Sequence, residues 1–354
     1  VGYTVNWYYV AWVGGDNEIK ISSYHHRSNS FEDTIETGIK TSATPKLIQC
    51  QGFEGNIARW ALVYFDMEGK LCCRYSNLNR VAATLGTIWE NIQANSPIGK
   101  IAAVCPSAGA RKIFFPRQVE SKLTPYSVPL RPSWTIFDNP FPLDINNAIK
   151  GITATLHKNT GMSACLSDDQ ICVVIALTGT GDNLKKSNIA LIVYNVAMNT
   201  VSGGLVFPNP GSDQAYLTDQ TPTICKTSDG SGILIGWTGI DDNNSLNLLY
   251  LDKAKITASR GIVAASNKHT TTLNNESSDY APVLAQNVGE NGLFWIGKDA
   301  NHQFNYLEVE LKSKLLLWSL STPEDKPGSK HSFDFPSSRK FGLDVIGDLK
   351  EQFT

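Results

Sequence analysis

Polar residues that could do chemistry stand in two tight groups. His25, His26 and Arg27 follow one another, and Asp241, Asp242, Asn243 and Asn244 form a second run. Neighbouring imidazoles could ligate a metal or carry protons, and a row of carboxylates and amides could wrap a calcium ion. The spacing argues against both. Successive strand residues point to opposite faces, so His25 and His26 do not converge on one ion and read as a strand-end surface cluster. The acidic run lacks the glycine and the terminal glutamate of a calcium loop and reads as a turn. Covalent and phosphoryl chemistry lack their signatures as well: there is no GxSxG elbow, no HExxH, no glycine-rich phosphate loop after a strand and no repeated Ser-x-Asp-x-Gly-x-x-x-Trp box.

The seven cysteines, Cys50, Cys72, Cys73, Cys105, Cys165, Cys172 and Cys225, contain no CxxC pair and have no histidine at zinc-ligand spacing, so a metal site is disfavoured. Most of them sit in apolar runs and read as small core hydrophobes. In a strand, Cys72 and Cys73 would face opposite ways, which leaves at most one of them toward a core. The 31 basic and 33 acidic residues nearly cancel and form no Lys/Arg-rich run, which excludes a phosphate-tracking surface and makes nucleic acid an unsuitable partner. Apolar runs fall short of the roughly 20 residues of a membrane span, so no membrane insertion is expected. The chain opens on Val in a strand-like segment, which fits removal of an upstream signal peptide and a secreted protein. Asn243 and Asn275 then become candidate N-glycan acceptors.

Residues 232–252 read apolar, then Gly/Asp/Asn-rich, then apolar, and residues 291–311 repeat the layout with Trp295 and Gly297 in the places of Trp237 and Gly239. Each is preceded by a short apolar segment, TPTICK or YAPVLAQ. Weaker copies run from ATPKLIQC through RWALVYFD to LCCRYSN, from IGKIAAVC through RKIFFPRQ to KLTPYSV, and from SACLSDDQ through ICVVIALTG to IALIVYNV. A truncated copy, WYYVAWVG then IKISSYHH, starts the chain without its opening strand. Six units of three or four short strands predict an all-β, six-bladed β-propeller with four-stranded blades, one domain over residues 1–354. A pair of β-sandwiches is the alternative. SRKFGLDVIGDL near the C-terminus is the segment expected to complete the first blade and close the ring. Residues 131–160 break the period with three prolines, and we read them as an outer strand followed by a long excursion, either a lid over one mouth of the ring or an elongated loop.

GKIAAVCPSAGARKIFFPRQVESKLTPYSV and RWALVYFDMEGKLCCRYS resemble blades of the fungal fucose-specific lectins, six-bladed propellers whose blades run "LAAV", then "IRVYYQ", then a turn and "GKIRE". The resemblance covers two blades reasonably and the other four only in outline. It implies that an Arg of the second strand, a Glu after the turn and an aromatic from the next blade hold each sugar. Here Arg111 or Lys112 stands near the Arg position, Thr124 or Pro125 falls at the Glu position, and Cys72 or Cys73 falls there in the second blade. GILIGWTG and GLFWIGK carry no Arg, so the repeated sugar grips look erased.

A fold kept without its repeated sites points to one site at the centre or mouth of the ring. In this respect the chain is similar to the lectin-like hetero-Diels-Alderases of fungal secondary metabolism, which unite a tropolone-derived quinone methide with a humulene-type terpene. The resemblance implies a cofactor-free reaction needing apolar walls and one hydrogen-bond donor. Turns expected on one face would gather Trp89, Arg111, Tyr216, Trp237, Asp279, Tyr280, Trp295, Lys298 and His302. Arg111, Tyr280 and His302 are the candidate donors, Trp237 and Trp295 the candidate walls, and Trp89, Tyr216, Asp279 and Lys298 further substrate contacts. A non-catalytic glycan-binding lectin is the competing reading, and a sialidase-like hydrolase trails both.

Overall fold

Six antiparallel sheets stand in a ring in the computed structural model, which describes residues 7–25, 28, 30–31, 34–49, 60–76, 89–93, 100–104, 111–119, 122–130, 141–149, 151–158, 160–167, 170–181, 187–195, 200–207, 216–253, 256–257, 261–262, 270–287, 289–298, 303–309, 311–312, 315–316, 330–333 and 344–347. From the axis outward, the second blade runs Lys46–Gln49, Trp60–Phe65, Lys70–Ser76 and Trp89–Gln93, and the third Ala102–Val104, Arg111–Val119, Lys122–Leu130 and Phe141–Pro142. The fourth runs Met162–Ser167, Gln170–Gly181, Asn188–Asn195 and Thr200–Val206. The fifth is Thr223–Lys226, Gly232–Thr238, Ser245–Asp252 and Thr270–Ser277, and the sixth Val283–Asn287, Glu290–Ile296, Phe304–Val309 and Lys330–Phe333.

The first blade is closed by the far end of the chain, as the truncated first repeat predicts. Asp344–Gly347 is its innermost strand and pairs antiparallel with Trp7–Val13, Tyr8 opposite Gly347 and Ala11 opposite Asp344. Glu18–His25 and then Ile35–Lys40 continue it outward. Each innermost strand lies beside those of both neighbouring blades, which completes the ring around one axis. The inner strands all begin, and the second strands all end, at one end of the ring; we call this the mouth face. Turns between second and third strands share it, and four of them finish on a left-handed residue just before the third strand: Asn17, Gly69, Ser187 and Asn244. Asn and Gly tolerate that conformation, so the Gly/Asn/Asp turns of the repeat have a backbone reason.

No single core fills the molecule. Buried side chains form a cluster at each of the six blade interfaces, because a propeller sheet is covered on both faces. This corrects the reading of the adjacent cysteines. Cys72 packs toward the first blade and Cys73 toward the third, and both are buried. All five described cysteines are buried free thiols.

The described residues of the excursion, from 141 onward, form a wedge rather than a lid. After the outer strand Phe141–Pro142, a one-turn helix, Ile145–Ala148, capped by Asp144, leads into Ile152–Leu156. That strand pairs with the mouth-side half of Gln170–Gly181, from Leu156 opposite Leu177 to Ile152 opposite Gly181. Leu143, Ile145, Ile149, Ala154 and Leu156 thereby join the apolar layer between the third and fourth blades. The apolar residues of the segment find more burial as a wedge than as a cover over the ring.

Candidate functional site

The last rung between first and second strands lies at the end of the ring opposite the mouth face. It pairs Val104 with Lys112 in the third blade, Ser167 with Gln170 in the fourth and Asn287 with Glu290 in the sixth. The side chain there shares a face with the residue two further on, so Lys112 follows Phe114 into the layer against the fourth blade, and Glu290 follows Phe294 and Gly292 toward the first. Burial at this rung makes its chemistry consequential: Lys112 is 5% exposed and Glu290 6%.

Lys112 enters an aromatic box. Its Nζ lies 5.9 Å from the ring centroid of Phe141, on the outer strand of its own blade, and 5.7 Å from that of Tyr194, on the third strand of the next. Tyr194 packs edge-on against Phe114 at 5.7 Å. Burial pushes the Tyr194 phenol up to about 12, so it stays neutral and can donate a hydrogen bond. Ser127, on the same face of the third strand, is fully buried and its hydroxyl stands beside that of Tyr194. That third strand, KLTPYSVPL, contains no carboxylate. The box therefore combines one cation, three aromatic rings and the hydroxyls of Ser127 and Tyr194, with the wedge segment packed in the same layer. Such a set suits a flat unsaturated ligand bearing an oxygen that takes up negative charge.

The residues expected at one rim are divided by the structure. Arg111 opens the second strand opposite Leu130, at the far end from the mouth face, and its side chain lies outside the described residues. Trp89 is on the outermost strand of the second blade, paired with Cys73 in mid-sheet; its side chain is likewise outside them, as is the whole of His302. The other six do gather on the mouth side of the fourth to sixth blades. Tyr216 stacks on Trp237 at 5.0 Å and shares a 2.6 Å hydrogen bond with Thr270. Asp279 lies 3.6 Å from Lys298 and accepts from Asn244 Nδ2 at 2.8 Å. The Tyr280 carbonyl accepts from Thr238 Oγ1 at 2.8 Å. Trp237 and Trp295 are 3% and 1% exposed and belong to the packing between blades, so neither forms the wall of an open mouth.

The sequence sets Arg111 or Lys112 near the lectin Arg position and favours Arg111 as a donor on the turn face; in the folded sheet it is Lys112, at the opposite end of the ring, whose side chain enters the box. Tyr194, Phe141 and Ser127 carried no sequence signal, since they come from three strands that only folding brings together. The described arginine side chains, Arg74 and Arg117, make no ion pair, and Arg117 instead covers the Tyr126 ring at 5.4 Å. Among the described residues no group of three or more His, Cys, Asp or Glu could hold a metal ion.

No protein-family model matches the chain, and no curated protein does. Among solved structures it is similar to AofleA from Arthrobotrys oligospora, at 11% identity and a TM-score of 0.54 over 96% of this chain and 85% of that one. It is also similar to the periplasmic gluconolactonase PpgL of Pseudomonas aeruginosa, at 11% identity and a TM-score of 0.52 over 96% and 99%. The fucose-specific lectin of Aleuria aurantia matches at 10% identity and a TM-score of 0.49 over 86% and 87%. The fold is thus the six-bladed propeller expected from the repeated blade sequences, and identities this low carry no chemistry with them.

Proposed function

We propose that this lectin-like propeller is a cofactor-independent hetero-Diels-Alderase, joining an oxygen-bearing, electron-poor partner of the quinone-methide type to an apolar terpene alkene. The observation that carries the proposal is the buried Lys112 ammonium enclosed by the rings of Phe141 and Tyr194. A concerted cycloaddition forms its bonds without a nucleophile and without net proton transfer. Its barrier falls when two partners are held face to face and when a donor meets the oxygen on which charge develops. Aromatic faces supply the first requirement, and Lys112, seconded by the Tyr194 hydroxyl, supplies the second. In this apolar layer an ammonium interacts more strongly with a developing oxyanion than it would in water.

The test is to generate the quinone methide in the presence of humulene and score product and stereochemistry against the uncatalysed background. Acceleration with one dominant stereoisomer, both lost in Lys112→Met, is the expected result. A wild-type rate equal to background overturns the proposal.

A second reading has its own observation. Lys112 stands where the lectins carry their second-strand Arg, and the next blade supplies the aromatic. A glycan-binding protein would show saturable binding on a fucosylated glycan array that is lost in Lys112→Met and no effect on the cycloaddition.

A further inference from the structure

The layer between the fourth and fifth blades holds nucleophiles that the cycloaddition does not use. Cys165 lies on the inner strand of the fourth blade, Met162–Ser167, and Cys172 on the second strand, Gln170–Gly181. The register sets them directly opposite one another, between Leu166 opposite Ile171 and Ala164 opposite Val173. Residues opposed across an antiparallel pair carry their side chains on one face of the sheet, and both sulfurs accordingly enter the apolar layer against the fifth blade. Both are free thiols.

No other described cysteine has such a partner. Cys72 and Cys73 are neighbours in sequence but point into different layers. Cys225, on the inner strand of the fifth blade, is within electrostatic reach of Cys165, yet it packs toward the sixth blade, where Asn291 Nδ2 donates to its sulfur at 3.4 Å. Opposed residues of antiparallel strands have Cα atoms about 4.5 to 5.5 Å apart, inside the span of about 4.4 to 6.8 Å that a disulfide bridges. Their Cβ atoms, about 4.5 to 5.5 Å apart, must draw in by about 1 Å to reach disulfide spacing. A bond formed here is therefore strained and, unlike a structural staple, readily reduced again.

Burial slows the exchange without forbidding it. It pushes the Cys172 thiol up to about 12 and is the first cause that holds Cys165 well above the ordinary thiol range, so little thiolate is present at neutral pH. Cys165 is 8% exposed and Cys172 not at all, which makes Cys165 the thiol that a reagent meets first. In the disulfide both sulfurs are neutral, so the layer that disfavours the thiolates accepts the product.

We propose that Cys165 and Cys172 are a redox modification site, closing a reversible cross-strand disulfide when a low-molecular-weight disulfide oxidises them. The Cys165 thiolate attacks one sulfur of the reagent and expels the other half as a thiolate, which takes up a proton. Cys172 then gives up its proton and attacks Cys165 Sγ, and the second half leaves as a thiol. The protein loses two electrons and two protons, and one reagent disulfide becomes two thiols. This switch does not depend on the chemistry of the box at Lys112.

The test exposes the whole folded protein to bis(2-hydroxyethyl) disulfide, quenches it with acid, blocks the remaining thiols in denaturant and maps the peptides by mass. A Cys165–Cys172 crosslink that dithiothreitol opens in the folded protein is the expected result. Cys172→Ala lacks the resolving thiol and should accumulate the mercaptoethanol adduct on Cys165 at least about tenfold above the wild type. The wild-type map stands without the variant, so a folding defect in Cys172→Ala leaves the test intact. No crosslink between these two residues while the protein stays folded, a bond from Cys165 to Cys225 in its place, or a crosslink that dithiothreitol opens only after denaturation overturns the proposal.

Discussion

The interface between the third and fourth blades and the interface between the sixth and first differ by half a turn of the ring, and each carries a buried charge on the same rung of the same strand. Glu290 is met by a donor built into the packing: the Tyr8 hydroxyl gives it a 2.7 Å hydrogen bond. Tyr8, Tyr24, Phe294 and Tyr306 surround it, with Tyr8 4.9 Å from Phe294 and 5.8 Å from Tyr306. Lys112 lies against the rings of Phe141 and Tyr194, in a layer that also takes up an inserted segment. Equivalent places in a repeated fold have thus been given opposite duties. On the proposed function, the glutamate serves cohesion between blades and the lysine serves the substrate oxygen.

The comparison breaks if the two substitutions behave alike. Glu290→Ala should cost about 3 kcal/mol of unfolding free energy in urea, because the buried Tyr8 hydroxyl loses its acceptor and a cavity is left. Lys112→Met should change stability by no more than about 1 kcal/mol, since an apolar chain replaces a costly charge, yet lower the cycloaddition rate about a hundredfold. A smaller effect sharpens the contrast at high pH. Tyr8, Tyr24 and Tyr306 near Glu290 are all held above the ordinary phenol range, with burial the first cause, and Tyr194 is raised to about 12. These groups stay protonated in the folded chain where unfolded phenols ionise. Their stabilisation is complete below pH about 10 and is lost as pH rises past it. Absorbance titration should show them ionising only on unfolding, and Tyr194→Phe should flatten the fall in stability between pH about 10 and the folded value of about 12. The least effect should come from sugar. Protein made in a secretory host should carry a removable glycan at Asn243, in an exposed turn of the fifth blade, and lose it in Asn243→Gln with activity unchanged.

Much of the fold was legible because it is written six times. Apolar runs separated by Gly/Asn/Asp turns give the blades, and the missing first strand of WYYVAWVG demanded the partner found at Asp344–Gly347. The wedge was not legible, because residues 141–156 owe their conformation to the neighbouring blades rather than to a local pattern. Trp237 and Trp295 drew attention as rare, large residues in matching places, and that recurrence reflects blade packing. Asn275 shows a further limit: it lies in the outer strand Thr270–Ser277, and its side chain is outside the described residues. The ion cluster of Asp344 with Lys46 and Lys100, at the mouth end of the inner strands, escaped notice because its members are far apart in the chain. A signal did exist, in the position following Pro or Gly ahead of the inner strands in ATPKLIQC and IGKIAAVC, where a charge recurs.

Closing the first blade with a strand made after the other five blades has a consequence for how the protein is born. While the ribosome is still translating, Trp7–Val13 waits with one edge unsatisfied, and the blades behind it can assemble but cannot meet. Emergence of residues 344–347, with Asp344 seeking its two lysines, then becomes the step that turns an open arc into a finished annulus. A chain truncated before that point should be retained by chaperones as a sticky, incomplete crescent.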